Sequence, residues 1–276
     1  MNNSFKIDNF LNISNDINSL NDKLLRNYII KRLIELEKNS KIQNLGMTND
    51  DKIVSVYEGY ISSKSPIKSS KSAEPFYLDN INIYYDFIKQ YKNHINEDDL
   101  LKMFQDLQNY FTDTFGLTGS QKKRNEVYCE HSIELEMRIT NNEQLSVSKL
   151  TDKGAAMCLE RSAILQNILS ILGLKSYFIY GTLEKISFYE ITKELHSYNI
   201  VKITEDDYLI FDISNPLSLD HENKKYYFPA INVVNKGQFN DLIDNCNYVF
   251  DNKQVENLFD CEATVLNEIR RIYTIG

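Results

Sequence analysis

The chain has no tryptophan, so its aromatic content rests on 18 tyrosines and 14 phenylalanines. It has only four cysteines, Cys129, Cys158, Cys246 and Cys261, with no C-x-x-C pair and no regular spacing. That pattern argues against a disulfide framework or a zinc site and for a reducing compartment. Cys129-Glu130-His131 is a C-x-H fragment, too few ligands for a metal site, and it reads as core or surface. There is no excess of positive charge: 31 basic residues stand against 39 acidic ones, a net of −8. A chain so charged lacks the electrostatic footprint of a nucleic-acid binder, and Lys122-Lys123-Arg124 reads as a solvated helix face. No apolar run approaches the roughly 20 residues that cross a bilayer, so no membrane partner is expected. The opening MNNSFKIDNF lacks the basic start and apolar stretch of a signal peptide. The expected location is the cytoplasm, and a bacterial effector exported without a signal peptide would look the same. No G-x-G-x-x-G, Walker or H-E-x-x-H motif, internal repeat or EF-hand acidic loop occurs. No cofactor and no metal are therefore expected.

What is present is a chain of 276 residues with ordinary hydrophobic content, 42%, ample for a core. Asp16 to Lys38 carries Ile17, Leu20, Leu24, Leu25, Tyr28, Ile29, Leu33, Ile34 and Leu36, the pattern of an amphipathic helix with room for one break. A mixed stretch to about Tyr60 leads into ISSKSPIKSSKS, Ile61 to Ser72, a Ser/Lys-rich linker or loop. A boundary there divides a helical N-terminal region, 1–72, from a larger domain, 73–276. Two further helical stripes follow, Leu78 to Tyr91 and Leu100 to Phe111, and Gln121 to Ile139 reads as a third helix. His94 and His221 read as surface residues. After Asp212, Lys224 to Val234 reads as a strand, and QFNDLIDNCNYVF and QVENLFDCEATVLNEIRRIY as terminal helices.

The stretch GAAMCLERSAILQNILSILG, Gly154 to Gly173, carries the chemistry. Leu159, Ala163, Ile164, Leu165, Ile168, Leu169, Ile171 and Leu172 recur at helical spacings. Gly173 supplies a left-handed C-terminal residue, and Thr151, Asp152 and Gly154 are start signals, so the helix is expected to begin close to Cys158. Unpaired N–H groups and the positive end of the helix dipole favour a thiolate there, and the thiolate is the nucleophile. Three strands are expected next: Lys175 to Leu183, Glu194 to Ile203 with His196 near its start, and Tyr208 to Ser214 with Asp212 near its end. Nucleophile, base and orienter then fall within one compact unit. His196 and Asp212 share a face only if facing residue numbers sum to an even number. A five-residue loop, Thr204 to Tyr208, pairing Ile203 with Leu209, meets that condition.

The order G-x-x-x-C at a helix start, H-S-Y-N-I-V-K-I on one strand and Y-L-I-F-D on the next resembles the transglutaminase-like branch of the papain-like cysteine enzymes. The likeness covers about residues 145 to 216. It departs at Tyr198, where an aromatic residue, often Trp, is expected, and at Pro216, which comes later than usual after the aspartate. The resemblance implies an α+β fold with a papain/transglutaminase-like core: the cysteine at the N-terminus of a central helix packed on an antiparallel sheet, buttressed by the helices before it. It implies Cys158 as nucleophile, His196 as base and Asp212 as orienter, working through a thioester on an amide. Deamidation, transglutamination and peptide hydrolysis all fit, with a protein or peptide as substrate. The Cys158 backbone N–H would serve an oxyanion hole, with Asn142 and Gln144 as upstream candidates for a second donor. Tyr198 and Phe188 are the candidate substrate contacts, the latter in the segment Glu184 to Lys193, read as a partly apolar loop suited to docking a partner. Two alternatives accompany this reading. Arylamine N-acetyltransferases use Cys, His and Asp in the same order to transfer an acyl group from a thioester, though with the cysteine nearer the N-terminus. A catalytically degenerate transglutaminase-like binding module is the other. Nothing in the sequence specifies an oligomeric state.

Overall fold

A computed structural model describes residues 10–40, 55–63, 76–78, 81–95, 100–116, 145–146, 156–186, 191–221, 224–245 and 247–251. It also describes residues 126, 129–130, 132–133, 136–137 and 140–141. The first amphipathic stretch forms two helices, α1 (Phe10–Ser19) and α2 (Asp22–Asn39). The break falls at Leu20 and Asn21 because the Asn21 side chain caps α2, accepting the Leu24 N–H at 3.1 Å. A short strand, β1 (Ser55–Glu58), precedes β2 (Phe76–Tyr77), which pairs in parallel with β3 (Leu145–Ser146). Between them lie α3 (Ile81–Tyr91), a single 3₁₀ turn, and α4 (Leu100–Phe115).

The central helix, α5 (Cys158–Ile171), is buried along its whole length after the first residue. It ends as its sequence predicts. Gly173 adopts φ 80°, and the Leu174 N–H turns back to the Leu169 carbonyl at 2.9 Å. Four long strands follow: β4 (Ser176–Ile186), β5 (Ile191–Lys202), β6 (Asp207–His221) and β7 (Lys224–Asn235). They form an antiparallel meander with β1 on the outer edge of β4. Next come α6 (Lys236–Asn245) and β8 (Asn247–Asp251), which continues the β1 edge by pairing in parallel with β4. The architecture is α+β, helices on a mainly antiparallel sheet.

Three sequence expectations change. The segment Glu184 to Lys193 is in part a hairpin and not a loop: Glu184 faces Lys193 and Ile186 faces Ile191, while residues 187–190 lie outside the described residues. Asn247 to Phe250, read as the end of a helix, lies in β8, and His221 lies at the end of β6. The second terminal helix and nearly two thirds of the Gln121–Ile139 stretch lie outside the described residues.

The sheet's two faces carry separate cores. Phe178, Tyr180, Val201, Leu209 and Phe211 face α5, in one cluster with Leu25 and Ile29 of α2 and Phe87 of α3. Residues on both sides of position 72 thus share one core. The opposite face gathers Ile179, Tyr198, Ile200 and Ile210 with Phe239 of α6. Each fully buried Leu, Ile or Phe stabilises by about 1.5–3 kcal/mol, and α5 contributes Leu159, Ala163, Ile164, Leu165, Ile168 and Leu169 to the larger cluster.

Helix α5 also buries Ser162, Gln166 and Asn167. Each is satisfied by backbone far away in sequence, as buried polar groups require. Asn167 accepts the Ile61 N–H at 2.8 Å and donates to the Ile61 carbonyl at 3.1 Å, imitating a strand neighbour. Gln166 donates to the Gly59 and Ser176 carbonyls at 2.8 and 3.0 Å, and Ser162 to the Ser197 carbonyl at 2.9 Å. These bonds set the helix at a fixed height on the sheet, running antiparallel to β4. Among the described residues, no helix is long and apolar enough to cross a membrane.

Candidate active site

Cys158 is the first residue of α5 and is partly exposed. The first i→i−4 bond of the helix runs from the Arg161 N–H to the Met157 carbonyl. The N–H of Cys158 therefore precedes the helical ladder and is not consumed by it. The Thr151 to Gly154 start signals lie outside the described residues. Glu160 acts instead, its carboxylate accepting the Met157 N–H at 2.8 Å, a negative group in the first turn where the helix dipole favours one.

Two buried charges flank the Cys158 turn. Arg161, 3% exposed, donates to the Ala156 carbonyl just before the cysteine and to the Phe115 and Gly116 carbonyls at the end of α4, each at 3.0 Å. One guanidinium thereby ties the entry to α5 to the exit of α4. Burial pulls its pKa down to about 10, against the opposing charges of Glu160 and Cys158. The second is His196 on β5.

The β5–β6 ladder pairs Val201 with Leu209 and Asn199 with Phe211. These pairs have the even parity that puts His196 and Asp212 on one face, and five residues, 203–207, lie between the partners of the closing rung, Lys202 and Tyr208, one position earlier than expected. The last rung is Asn199 with Phe211. His196 and Asp212 lie just past it, and His196 Nε2 meets Asp212 Oδ2 at 2.8 Å. Because that nitrogen is engaged, Nδ1 is the ring atom left for Cys158, which lies near enough to favour the charged ring. Burial opposes charge on His196, but the Asp212 carboxylate, its hydrogen bond and Cys158 outweigh this and raise the imidazole to about 10. Burial likewise opposes charge on Asp212. The attraction of His196 and hydrogen bonds from His196, Asn215 and the Ser214 N–H nevertheless hold its carboxyl below the ordinary value.

The structure thus brings Cys158, His196 and Asp212 together. Tyr198 is fully buried, its ring stacked 6.4 Å from that of His196 within the second core. It braces the imidazole from behind and lines no open surface, so the expected substrate contact does not hold there. Asn142, Gln144 and Phe188 lie outside the described residues. His94 is exposed and pairs with Asp106 at 2.9 Å, away from this site. Among the described residues, no group of three or more His, Cys, Asp or Glu is placed to hold a metal ion.

Three residues had escaped the sequence reading. Asn215 donates from Nδ2 to Asp212 Oδ2 at 2.9 Å and lies 3.2 Å from His196 Nε2. An irregularity in β6 places it. Between the pairs Asp212–Ala230 and Leu217–Phe228, β6 advances five positions and β7 only two, and the excess folds Asn215 back onto the aspartate. The late Pro216 was the only sequence sign. Arg161 gave no sign, since a charge in the first turn of a helix usually points to solvent. Tyr180, on the α5 face of β4 and opposite Ser197, is the third. Burial, and secondarily Cys158, raises its phenol, which marks it as a neighbour of the thiol. Comparison of the chain with models of known families, with curated proteins and with solved structures yields no match.

Proposed function

We propose that the chain is a thiol enzyme acting on an amide carbonyl through a papain/transglutaminase-like core. Cys158 is its nucleophile, His196 its base and Asp212 its orienter. The observation that carries this reading is the arrangement itself: a partly exposed thiol on the first residue of a helix, a buried imidazole whose charged form that thiol favours, and a buried carboxylate 2.8 Å from the ring's Nε2. The central helix packed against an antiparallel sheet, with α2 and α3 on its other side, supports the core assignment.

In this mechanism the imidazole, raised to about 10, already carries the Cys158 proton on Nδ1, and the sulfur attacks the amide carbon as the thiolate. Asp212 keeps the Nε2 proton in place and stabilises the imidazolium. The Cys158 N–H, at the positive end of α5, donates to the developing oxyanion, a class of contact worth about 10²–10³ in rate. Collapse breaks the C–N bond, His196 returns its proton to the departing amine, and a thioester remains. Water then gives deamidation or peptide hydrolysis, while a second amine gives transglutamination. The substrate class is a protein or peptide amide, a glutamine side chain for the deamidase and transglutaminase branches, and the setting is the cytoplasm.

The test is alkylation of each cysteine by iodoacetamide at pH 6, read by mass spectrometry in the wild type and in His196→Ala. Cys158 should react roughly tenfold or more faster than the exposed Cys129 and lose that advantage without His196. Ammonia release, amine incorporation and peptide cleavage then separate the branches, and consumption of acetyl-CoA would favour the acyl-transferase alternative. A Cys158 no faster than Cys129 sinks the reading and brings the binding module forward.

A further inference from the structure

Three contacts converge on the Asp212 carboxylate, and two come from the irregular turn of β6. The Ser214 N–H reaches Oδ1 at 3.1 Å, Asn215 Nδ2 reaches Oδ2 at 2.9 Å, and His196 Nε2 reaches the same Oδ2 at 2.8 Å. Asp212 is fully buried and His196 4% exposed, whereas Asn215 is only partly buried. Asn215 therefore lies on the open side of the pair. Its amide orientation is determined by these neighbours. With Nδ2 toward Asp212 it donates to the carboxylate, whereas a flipped amide would set its oxygen against a carboxylate oxygen.

We propose that Asn215 is a positioning residue that fixes the Asp212 carboxylate and shields the His196–Asp212 contact from water on its open side. The inference rests on the proposed thiol chemistry only in that His196 serves Cys158. With Nδ2 and the Ser214 N–H both held, the carboxylate cannot rotate away from Nε2. The Nε2–H is then held on the carboxylate, and Nδ1 is kept facing the thiol whose proton it holds. Tyr198 braces the ring from within the core while Asn215 closes it from outside. The three-residue excess in β6 thus serves the site, since a regular strand would carry residue 215 onto the opposite face.

Asn215→Leu keeps the volume and removes the donor. Two readouts apply: the titration midpoint of the Asp212 carboxyl by NMR, and Cys158 alkylation across pH. Asp212 should titrate at a higher pH in Asn215→Leu. Alkylation at pH 6 should fall roughly tenfold, consistent with the loss of one hydrogen bond to a charged group, with the acid limb of its profile moved upward. Asn215→Asp, which sets a second carboxylate beside the first, should move the Asp212 midpoint further in the same direction. An unchanged Asp212 midpoint in Asn215→Leu overturns the inference, whatever Cys158 does. A moved midpoint in a protein whose wild-type Cys158 shows no dependence on His196 supports the positioning role and overturns the thiol-enzyme reading alone.

Discussion

Replacing Arg161 with methionine is the sharpest test of how the helix that begins at Cys158 is held. The side chain is 3% exposed and donates three bonds of 3.0 Å, to Ala156, Phe115 and Gly116. Methionine keeps most of the stem's packing, so the loss falls on the hydrogen bonds. Each bond from a charged donor is worth about 1.5–3 kcal/mol, but three on one group are not additive. Each buried carbonyl left unpaired costs about 1–3 kcal/mol. Burial itself works the other way, since it already pulls the guanidinium down to about 10, so the charge is expensive to keep. The carbonyls decide the balance: they are backbone and cannot leave with the arginine. The expected destabilisation is about 3–5 kcal/mol, measured by equilibrium urea unfolding followed by circular dichroism. With a slope of about 3 kcal/mol per molar, the midpoint falls by about 1–1.7 M. Arg161→Lys, keeping the charge without the three-way fork, should lose about half as much. A midpoint shift below about 0.3 M for Arg161→Met would refute the idea that this guanidinium ties α4 to α5.

The remaining predictions concern pH and the second core. His196 is raised from 6.5 to about 10 in the folded protein. Its contribution to stability is therefore complete below about pH 6.5 and fades as pH climbs toward 10, at up to about 1.4 kcal/mol per pH unit. Asp212 is lowered from 3.8, so its contribution is present above that value and fades as pH falls through its folded midpoint. Urea midpoints at pH 6, 8 and 9 should decline in the wild type and decline less in Asp212→Asn; equal slopes would show that the pair does not couple to folding. Phe239 of α6 stacks on Tyr208, ring centroids 3.9 Å apart, and packs at a tilt against Tyr177 at 5.0 Å. Phe239→Ala should cost about 3 kcal/mol and expose α6 to proteolysis. A loss under about 1 kcal/mol would mean that α6 contributes little to the second core.

Much of the site was legible because its signals are local. The apolar spacing of Leu159 to Leu172, the stop at Gly173 and the alternation around His196 and Asp212 are properties of adjacent residues. They dictate a helix beginning at Cys158 and strands bearing the other two groups. The parity that sets His196 and Asp212 on one face also follows from chain geometry once the loop length is known. What the sequence could not display depends on partners distant along the chain. Gln166 and Asn167 look like a solvent face until Gly59 and Ile61, more than 100 residues earlier, are seen to supply their bonds. Arg161 looks like a surface charge until α4 ends beside it. Asn247 to Phe250 continue a helical pattern, yet the free edge of β4 beyond β1 draws them into a strand. Asn215 reaches its aspartate only because β6 gains three residues on β7. Residue periodicity and caps determine which elements form. Tertiary packing decides which buried polar groups find partners, because a hydrogen bond is satisfied in space and not in sequence order.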